Sequence, residues 1–176
     1  MIVRRILPLF FSVFIVLSAR ASNDLFLDIA GVQGESRDKD HPNQIEVLSW
    51  SWGMSHSPGS PGGGSGVQIQ DLSISKYTDK SSPLLMLACS KGTTYSTVKL
   101  NVRKTAATRD YLVITLTDAI VTTVSTGGSG GQDRFTENIT LNFTKVKVEY
   151  YEQKPDGSYN PTPVTYTWNI ITNSET

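Results

Sequence analysis

The chain has 176 residues, and its 16 basic and 16 acidic side chains balance to a formal charge of zero. This length predicts one domain built around a single core, and the balanced charge excludes the concentrated basic surface that a nucleic-acid binder needs. The single cysteine, Cys89, excludes an intramolecular disulfide.

Residues 1–21 have the pattern of a secretory signal. Arg4 and Arg5 give a positive start, an apolar run follows over residues 6–17, and Ala19-Arg20-Ala21 matches a small-x-small cleavage site. The run is shorter than the roughly 20 residues that span a bilayer, so we expect no stable membrane anchor after processing. The alternative is a start codon placed too far upstream.

The remaining residues, 22–176, alternate short strand-like runs with Gly, Pro, Ser and Asn, which is typical of a sandwich or barrel. In the first run Leu25, Leu27 and Ile29 share one face of the predicted strand. A second run places three large apolar side chains on one parity, and we expect these to form part of the core: Leu48, Trp50 and Trp52.

Two longer runs change phase part of the way along. The alternation of apolar residues slips near Gln70-Asp71 in the run 67–77, and it slips again inside the run 136–152. A β-bulge at each slip would restore the pattern and bend the strand, as a closing sheet requires.

One short helix stands out between the strands. Ser82 is a suitable N-cap, Pro83 suits the first helical position, and Gly92 is placed to end the helix. The helix is apolar on most sides, so we expect it to plug one end of the barrel or to lie against a sheet. Further strands are predicted over residues 95–103, 111–124 and 164–171, in addition to 136–152.

Two glycine-rich loops, residues 53–66 and 127–131, interrupt the strands. The second reads GGSGG, but no Lys-Ser/Thr follows it and its context is not strand-to-helix, which argues against a phosphate loop or a nucleophile elbow.

The two histidines, His41 and His56, lie in loops without the further ligands that a metal needs. The charged residues around His41 are expected to form a solvated loop. We therefore predict no catalytic residues, no metal and no cofactor.

Five strings together resemble one protein family, the Hcp (haemolysin-coregulated) proteins of type VI secretion systems. They are GESRDKDH (34–41), IEVLSWSWGMS (45–55), VQIQDLSISKYTDKSSPLLMLACSKG (67–92), YLVITLTDAIVTTVSTGGSGGQDRFTENITLNF (111–143) and VTYTWNI (164–170). The fold that this resemblance implies agrees with the pattern of the residues. It is a mainly β fold, a small barrel of two packed antiparallel-rich sheets with one short flanking helix.

The resemblance implies a structural function rather than an enzymatic one. Hcp-like subunits form hexameric rings that stack into a hollow tube, so the implied partners are further copies of the chain, sheath and spike proteins, and small effector proteins in the lumen. By resemblance, a ring-stacking loop corresponds to Gly53, Met54, Ser55, His56, Pro58, Gly62, Gly63 and Gly64. A second set of assembly candidates comprises Glu35, Arg37, Asp38 and Lys39.

The N-terminal pattern departs from the family, whose tube subunits leave the cytoplasm through the secretion machine without a signal peptide. Two hypotheses for a secreted protein follow. The first is a tube subunit of a type VI system with a misassigned start. The alternative is an exported, ring-forming Hcp-like binding protein that acts in the periplasm or outside the cell.

Overall fold

The computed structural model describes residues 22–57, 66–105 and 107–176. Their elements, in chain order, are β1 (Asn23–Ile29), β2 (Ile45–Ser51), β3 (Met54–Ser57), β4 (Gly66–Ile69), β5 (Leu72–Tyr77), α1 (Ser82–Lys91), β6 (Thr94–Lys104), β7 (Asp110–Gly127), β8 (Thr136–Asn142), β9 (Lys145–Tyr150) and β10 (Val164–Asn169). The predicted signal peptide, residues 1–21, lies outside the described residues.

Six antiparallel strands close into a barrel. Strand β6 pairs with β1, β1 with β2, β2 with β5, β5 with β8, and β8 with β7, which returns to β6. Closure pairs the strands that would otherwise be edges, and it lets one face of each strand fill a common interior. The prediction of a mainly β small barrel with one short helix is confirmed.

Strand β7 is shared between the barrel and a two-stranded extension. Its residues 120–127 pair with β8, whereas residues 112–117 pair with β9, and β10 continues the sheet beyond β9. The predicted single strand over 136–152 is therefore wrong. It breaks into two strands at Phe143 and Thr144, where the Thr144 N–H donates to Thr117 O at 3.0 Å. The chain breaks here, instead of forming the predicted bulge, because β8 and β9 pair with different segments of β7.

The run 67–77 breaks in a similar way. Strand β4 pairs with β3 in a separate two-stranded hairpin, while β5 belongs to the barrel, and Gln70 and Asp71 lie between them. The phase change at this point was recognised correctly, but it marks a passage between two sheets rather than a bulge.

Strand β2 contains a bulge that the sequence pattern did not show. Its register against β5 shifts between Val47 and Ser49. As a result Ile45 and Val47 face the core, and Leu48 is 43% exposed. The expectation that Leu48 belongs to the core is wrong, while Trp50 and Trp52 pack half-buried against it. In β1, Leu27 and Ile29 are buried and Leu25 packs against the same core, as predicted.

The N-cap of helix α1 lies one residue earlier than predicted. Ser81 occupies the N-cap position, Pro83 lies in the first turn, and Gly92 ends the helix with φ of 63°. The Gly92 and Thr93 N–H groups donate to Cys89 O and Ala88 O, which satisfies carbonyls at the end of the helix. Leu85 and Ala88 are buried where the helix lies beside β7, so it lies against the barrel wall.

Candidate assembly surfaces

The chain between β1 and β2, residues 30–44, folds back on itself and lies over the barrel; we call it the strap. The Gly34 N–H donates to Asn43 O at 2.8 Å, and the Ser36 N–H donates to Gln44 O at 3.1 Å. Val32, Gly34 and Ser36 are buried in alternation with exposed residues. A Cβ at Gly34 would lie 2.4 Å from Gln44 O, so only glycine permits this close approach of the two backbones.

Arg103 holds the strap to the barrel. Its guanidinium makes a two-point ion pair with Asp38, and its Nη1 also lies 3.1 Å from Asp40 Oδ2. The hydrogen bond from Arg103 lowers the pKa of Asp38 to about 2. Burial acts in the opposite direction, and the N–H groups of Asp40 and His41, which also donate to this carboxylate, lower the pKa further. Asp38 therefore positions the strap.

His41 makes a second attachment of the strap. Its ring stacks on Phe26 with centroids 4.4 Å apart, Nε2 lies 3.0 Å from Asp110 Oδ1, and Nδ1 lies 3.1 Å from Gln44 Oε1. His41 and Arg103 are both buried. The expectation of a solvated charged loop around His41 is thus wrong. The sequence pattern does not reveal Arg103 as a buried cation because it ends a predicted strand; the two aspartates of the mixed-charge run RDKD, Asp38 and Asp40, are the sequence signal for it.

The outer side of the strap carries the other three assembly candidates. Glu35, Arg37 and Lys39 are exposed. Glu35 Oε1 accepts a hydrogen bond from the Lys80 N–H at 3.2 Å, and Arg37 lines an open cleft beside Leu48. The structure thus separates this candidate set into one positioning residue, Asp38, and three residues available for contact.

The β3–β4 hairpin carries the first part of the predicted stacking loop. All four residues of β3 are exposed, including Met54, Ser55 and His56. Gly53 lies at the base, where Gly53 O accepts from the Gln70 N–H at 2.9 Å. The indole of Trp52 donates to Gln70 O at 2.9 Å. The other predicted stacking residues lie outside the described residues: Pro58, Gly62, Gly63 and Gly64.

The GGSGG loop packs against an aromatic side chain. A Cβ on Gly128 would lie 2.0 Å from the Phe135 ring, so the loop backbone runs directly over that ring. Nothing in the loop is placed as a nucleophile with a basic partner, since His41 is engaged with Asp110 and Gln44 and His56 lies on the hairpin. Among the described residues, no group of three or more His, Cys, Asp or Glu side chains is arranged to bind a metal.

The fold and these surfaces define a class of protein: a small β-barrel domain with a separate, exposed hairpin and a tightly held strap. Among known families, the one described as "Type VI secretion system effector, Hcp" matches residues 26–150. Protein hcp1 of Pseudomonas aeruginosa is 53% identical over 156 residues, which cover 85% of this chain and 96% of that protein.

Two solved structures agree with this match. Hcp1 from Salmonella typhimurium is 36% identical, with a TM-score of 0.73 over 88% of this chain and 99% of that one. A type VI secretion system effector from Yersinia pestis is 31% identical, with a TM-score of 0.70 over 84% and 100%. The chain belongs to the Hcp family of type VI secretion system proteins, and the resemblance drawn from its sequence is confirmed. Its function is that of the tube and effector proteins of this secreted family.

In the part of the chain that the structure covers, no helix has the length and apolar character needed to cross a bilayer.

Proposed function

We propose that six copies of this chain close into a ring, that the rings stack into a hollow tube, and that the tube carries effector proteins. Contacts between two different surfaces of identical subunits generate a closed ring when the rotation closes, and complementary ring faces allow stacking. Family membership supports this proposal. Sheath and spike proteins would then be partners of the tube, and the subunit's role would be structural rather than catalytic.

The observation that carries the proposal is the exposed β3–β4 hairpin. It forms a two-stranded sheet apart from the barrel, and every residue of β3 faces solvent. An isolated two-stranded hairpin is only marginally stable in water, so this ribbon gains most from contact with another subunit. We assign ring stacking to Gly53, Met54, Ser55 and His56, together with the loop residues Pro58, Gly62, Gly63 and Gly64.

The outer row of the strap is the second assembly surface. Arg103 and His41 fix the strap's backbone, so Glu35, Arg37 and Lys39 are presented at little further cost in backbone conformational entropy. Charged side chains of both signs suit a contact whose register depends on charge pairing. Asp38 contributes by holding this row in place.

Deletion of residues 59–64 tests the stacking assignment. Shortening a loop costs little stability, so folding and ring formation should persist while tubes become shorter or disappear. Replacing the same six residues with GSGSGS is the matched control, because it keeps the length and changes the composition. Light scattering reports ring mass, and negative-stain electron microscopy reports stacking. Unchanged tubes after the deletion would refute the loop assignment, whereas a monomeric wild-type chain would refute the ring itself.

The pattern of residues 1–21 supports a second candidate function, an exported Hcp-like ring that binds a protein or peptide outside the cytoplasm. Fractionation of cells into cytoplasm, periplasm and medium, followed by N-terminal sequencing, separates the two candidates. A mature N-terminus at Ser22 in the periplasm supports the exported ring. An uncleaved or later-starting chain found in the cytoplasm and medium supports the tube subunit.

A further inference from the structure

A pocket with a volume of about 510 Å³ opens between two loops of the subunit; we call it the β6–β7 pocket. One wall is the end of β6 and the turn to β7, with Lys104, Thr108 and Arg109, and the other is the chain after β9, with Gln153 and Tyr159. Both charged side chains that line this pocket are basic, and no carboxylate is among its lining residues. The pocket therefore favours a negatively charged ligand.

The two cations of the pocket form no ion pair with any carboxylate of the described residues. Lys104 Nζ donates to the side-chain oxygen of Gln153, which is a neutral partner. The guanidinium of Arg109 lies over the Tyr151 ring, 3.9 Å from its centroid. A guanidinium that stacks on an aromatic face keeps the N–H donors at its edge free to bind an anion.

Two aspartates near the pocket have other partners. Asp24 accepts a hydrogen bond from the Thr105 hydroxyl at 2.8 Å. Asp156 accepts from the Ser158 N–H at 2.9 Å and from the Ser158 hydroxyl at 2.7 Å. These carboxylates reduce the positive potential of the pocket, but they leave the donors of its two cations unoccupied.

Hydrogen bonds within residues 153–159 hold one wall of the pocket in place. The Lys154 N–H donates to Ser158 O at 2.7 Å, and the Gly157 N–H donates to Lys154 O at 2.9 Å. The side-chain amide of Gln153 donates to Gly157 O at 3.1 Å. Because this wall is already ordered, a ligand can bind with little further loss of conformational entropy.

Tyr159 adds an unpaired donor to the same wall. Its hydroxyl is buried, and no described residue forms a hydrogen bond with it. Burial raises the pKa of this hydroxyl, so it keeps its proton at neutral pH and can donate. Buried polar groups in native proteins almost always have a hydrogen-bond partner, so the unpaired hydroxyl is a second indication of a polar ligand.

We propose that the β6–β7 pocket binds a phosphate group through Lys104, Arg109 and the hydroxyl of Tyr159. A guanidinium and a phosphate commonly form two parallel hydrogen bonds, and the remaining phosphate oxygens can accept from the other donors. The volume of the pocket lies in the range that holds small organic ligands, which favours a phosphate monoester over the free ion. All the lining residues belong to one subunit, so the site does not depend on the proposed ring.

Isothermal titration calorimetry at constant ionic strength tests the site with two probes, inorganic phosphate and glycerol 3-phosphate. We expect saturable binding of one ligand per chain, with the monoester binding more tightly. Equal affinities for the two probes would support the site and identify free phosphate as a sufficient ligand. If neither probe binds saturably, the proposal is overturned.

Two double variants with the same change of charge distinguish a defined site from diffuse attraction. Lys104→Gln combined with Arg109→Gln should weaken phosphate binding about tenfold or more, because both charge-assisted contacts are lost. Lys145→Gln combined with Lys147→Gln is the matched control, since these exposed lysines lie on β9 outside the pocket. Equal weakening in the two double variants would overturn the proposal.

Two conservative single variants test the individual contacts. Tyr159→Phe keeps the ring and should weaken binding about threefold or more, because one hydrogen bond to the ligand is lost. Arg109→Lys keeps the charge but loses the planar fork, so it should also weaken binding. Thermal unfolding without ligand checks that each variant is folded. If both variants bind phosphate as tightly as the unaltered chain, these residues do not form the site and the proposal is overturned.

Discussion

Lys76 and Glu137 lie directly opposite each other on strands β5 and β8, with Nζ and Oε1 2.8 Å apart and both side chains fully buried. Lys76 Nζ also donates to Tyr77 O at 2.7 Å and to Asp79 Oδ1 at 2.8 Å. Ser82 donates its hydroxyl to Glu137 Oε1 at 2.7 Å. The network therefore joins two barrel strands to the first turn of α1.

Removing one member of this buried pair should destabilise the barrel strongly. We expect Glu137→Leu to lower the free energy of unfolding by about 3–5 kcal/mol, because it leaves the buried Lys76 ammonium with one carboxylate partner, Asp79, instead of two. Lys147→Ala is the control: Lys147 pairs with Glu149 at 2.9 Å but is nearly half exposed, so it should cost about 1 kcal/mol or less. Urea unfolding at protein concentrations below assembly measures both. If Glu137→Leu lowers the free energy of unfolding no more than Lys147→Ala does, the buried pair does not stabilise the barrel as described.

The Arg103–Asp38 ion pair should make stability depend on pH in the acidic range. Arg103 lowers the Asp38 pKa from 3.8 to about 2 in the folded chain, so the pair stabilises the fold above pH 3.8 and this contribution is lost as pH falls towards 2. Asp38→Asn should remove that part of the slope. Thermal unfolding across this window compares the two chains, and parallel pH profiles would contradict the prediction.

Because of the bulge in β2, replacing leucine by alanine should lower the free energy of unfolding much more at one leucine than at another. Leu27→Ala removes a fully buried side chain and should cost about 2–5 kcal/mol. Leu48→Ala removes a side chain that is 43% exposed at the bulge, so it should cost roughly 1 kcal/mol or less. Denaturant unfolding distinguishes the two. Equal losses in the free energy of unfolding would mean that Leu48 is part of the core.

Gly34 should resist substitution for steric reasons. The new Cβ of Gly34→Ala would meet Gln44 O at 2.4 Å, so the two halves of the strap must separate at a cost of about 1–3 kcal/mol. Gly127→Ala is the control, because nothing lies within 4 Å of its Cβ position. If the two variants unfold at the same denaturant concentration, the close packing of the strap is not as described.

Strand positions were predictable because successive side chains of a strand point to opposite faces of the sheet, so a strand with one buried face shows alternating apolar residues. The runs that became β1, β6 and β10 alternate without interruption or nearly so, and their bounds were close, whereas the buried positions of β7 change parity between Leu116 and Ala119. Leu48 was misplaced because a bulge shifts the phase of the side chains without any change of composition. The break at Phe143 and Thr144 was read as a bulge because both features shift the alternation by one residue.

Local sequence patterns could not predict the strap or the buried Lys76–Glu137 ion pair. Lys76 and Glu137 are separated by 61 positions, and each alone reads as a solvated charge on a strand. Arg103 and Asp38 are likewise brought together only by the pairing of β1 with β6 and by the strap folding back over the barrel. The hairpin was predictable in location, because glycine-rich sequence marks residues 53–66, but the pairing of β3 with β4 depends on where the barrel strands end.

Strand β7 bridges the barrel and the β9–β10 extension, since its 18 residues pair with strands of both. The extension is therefore a continuation of the barrel's own sheet, bonded to one edge of β7 while β6 holds the other edge. Amide protons of β7 that donate to β6 should exchange with deuterated solvent only when the barrel opens, whereas those that donate to β9 are also released when the extension opens locally.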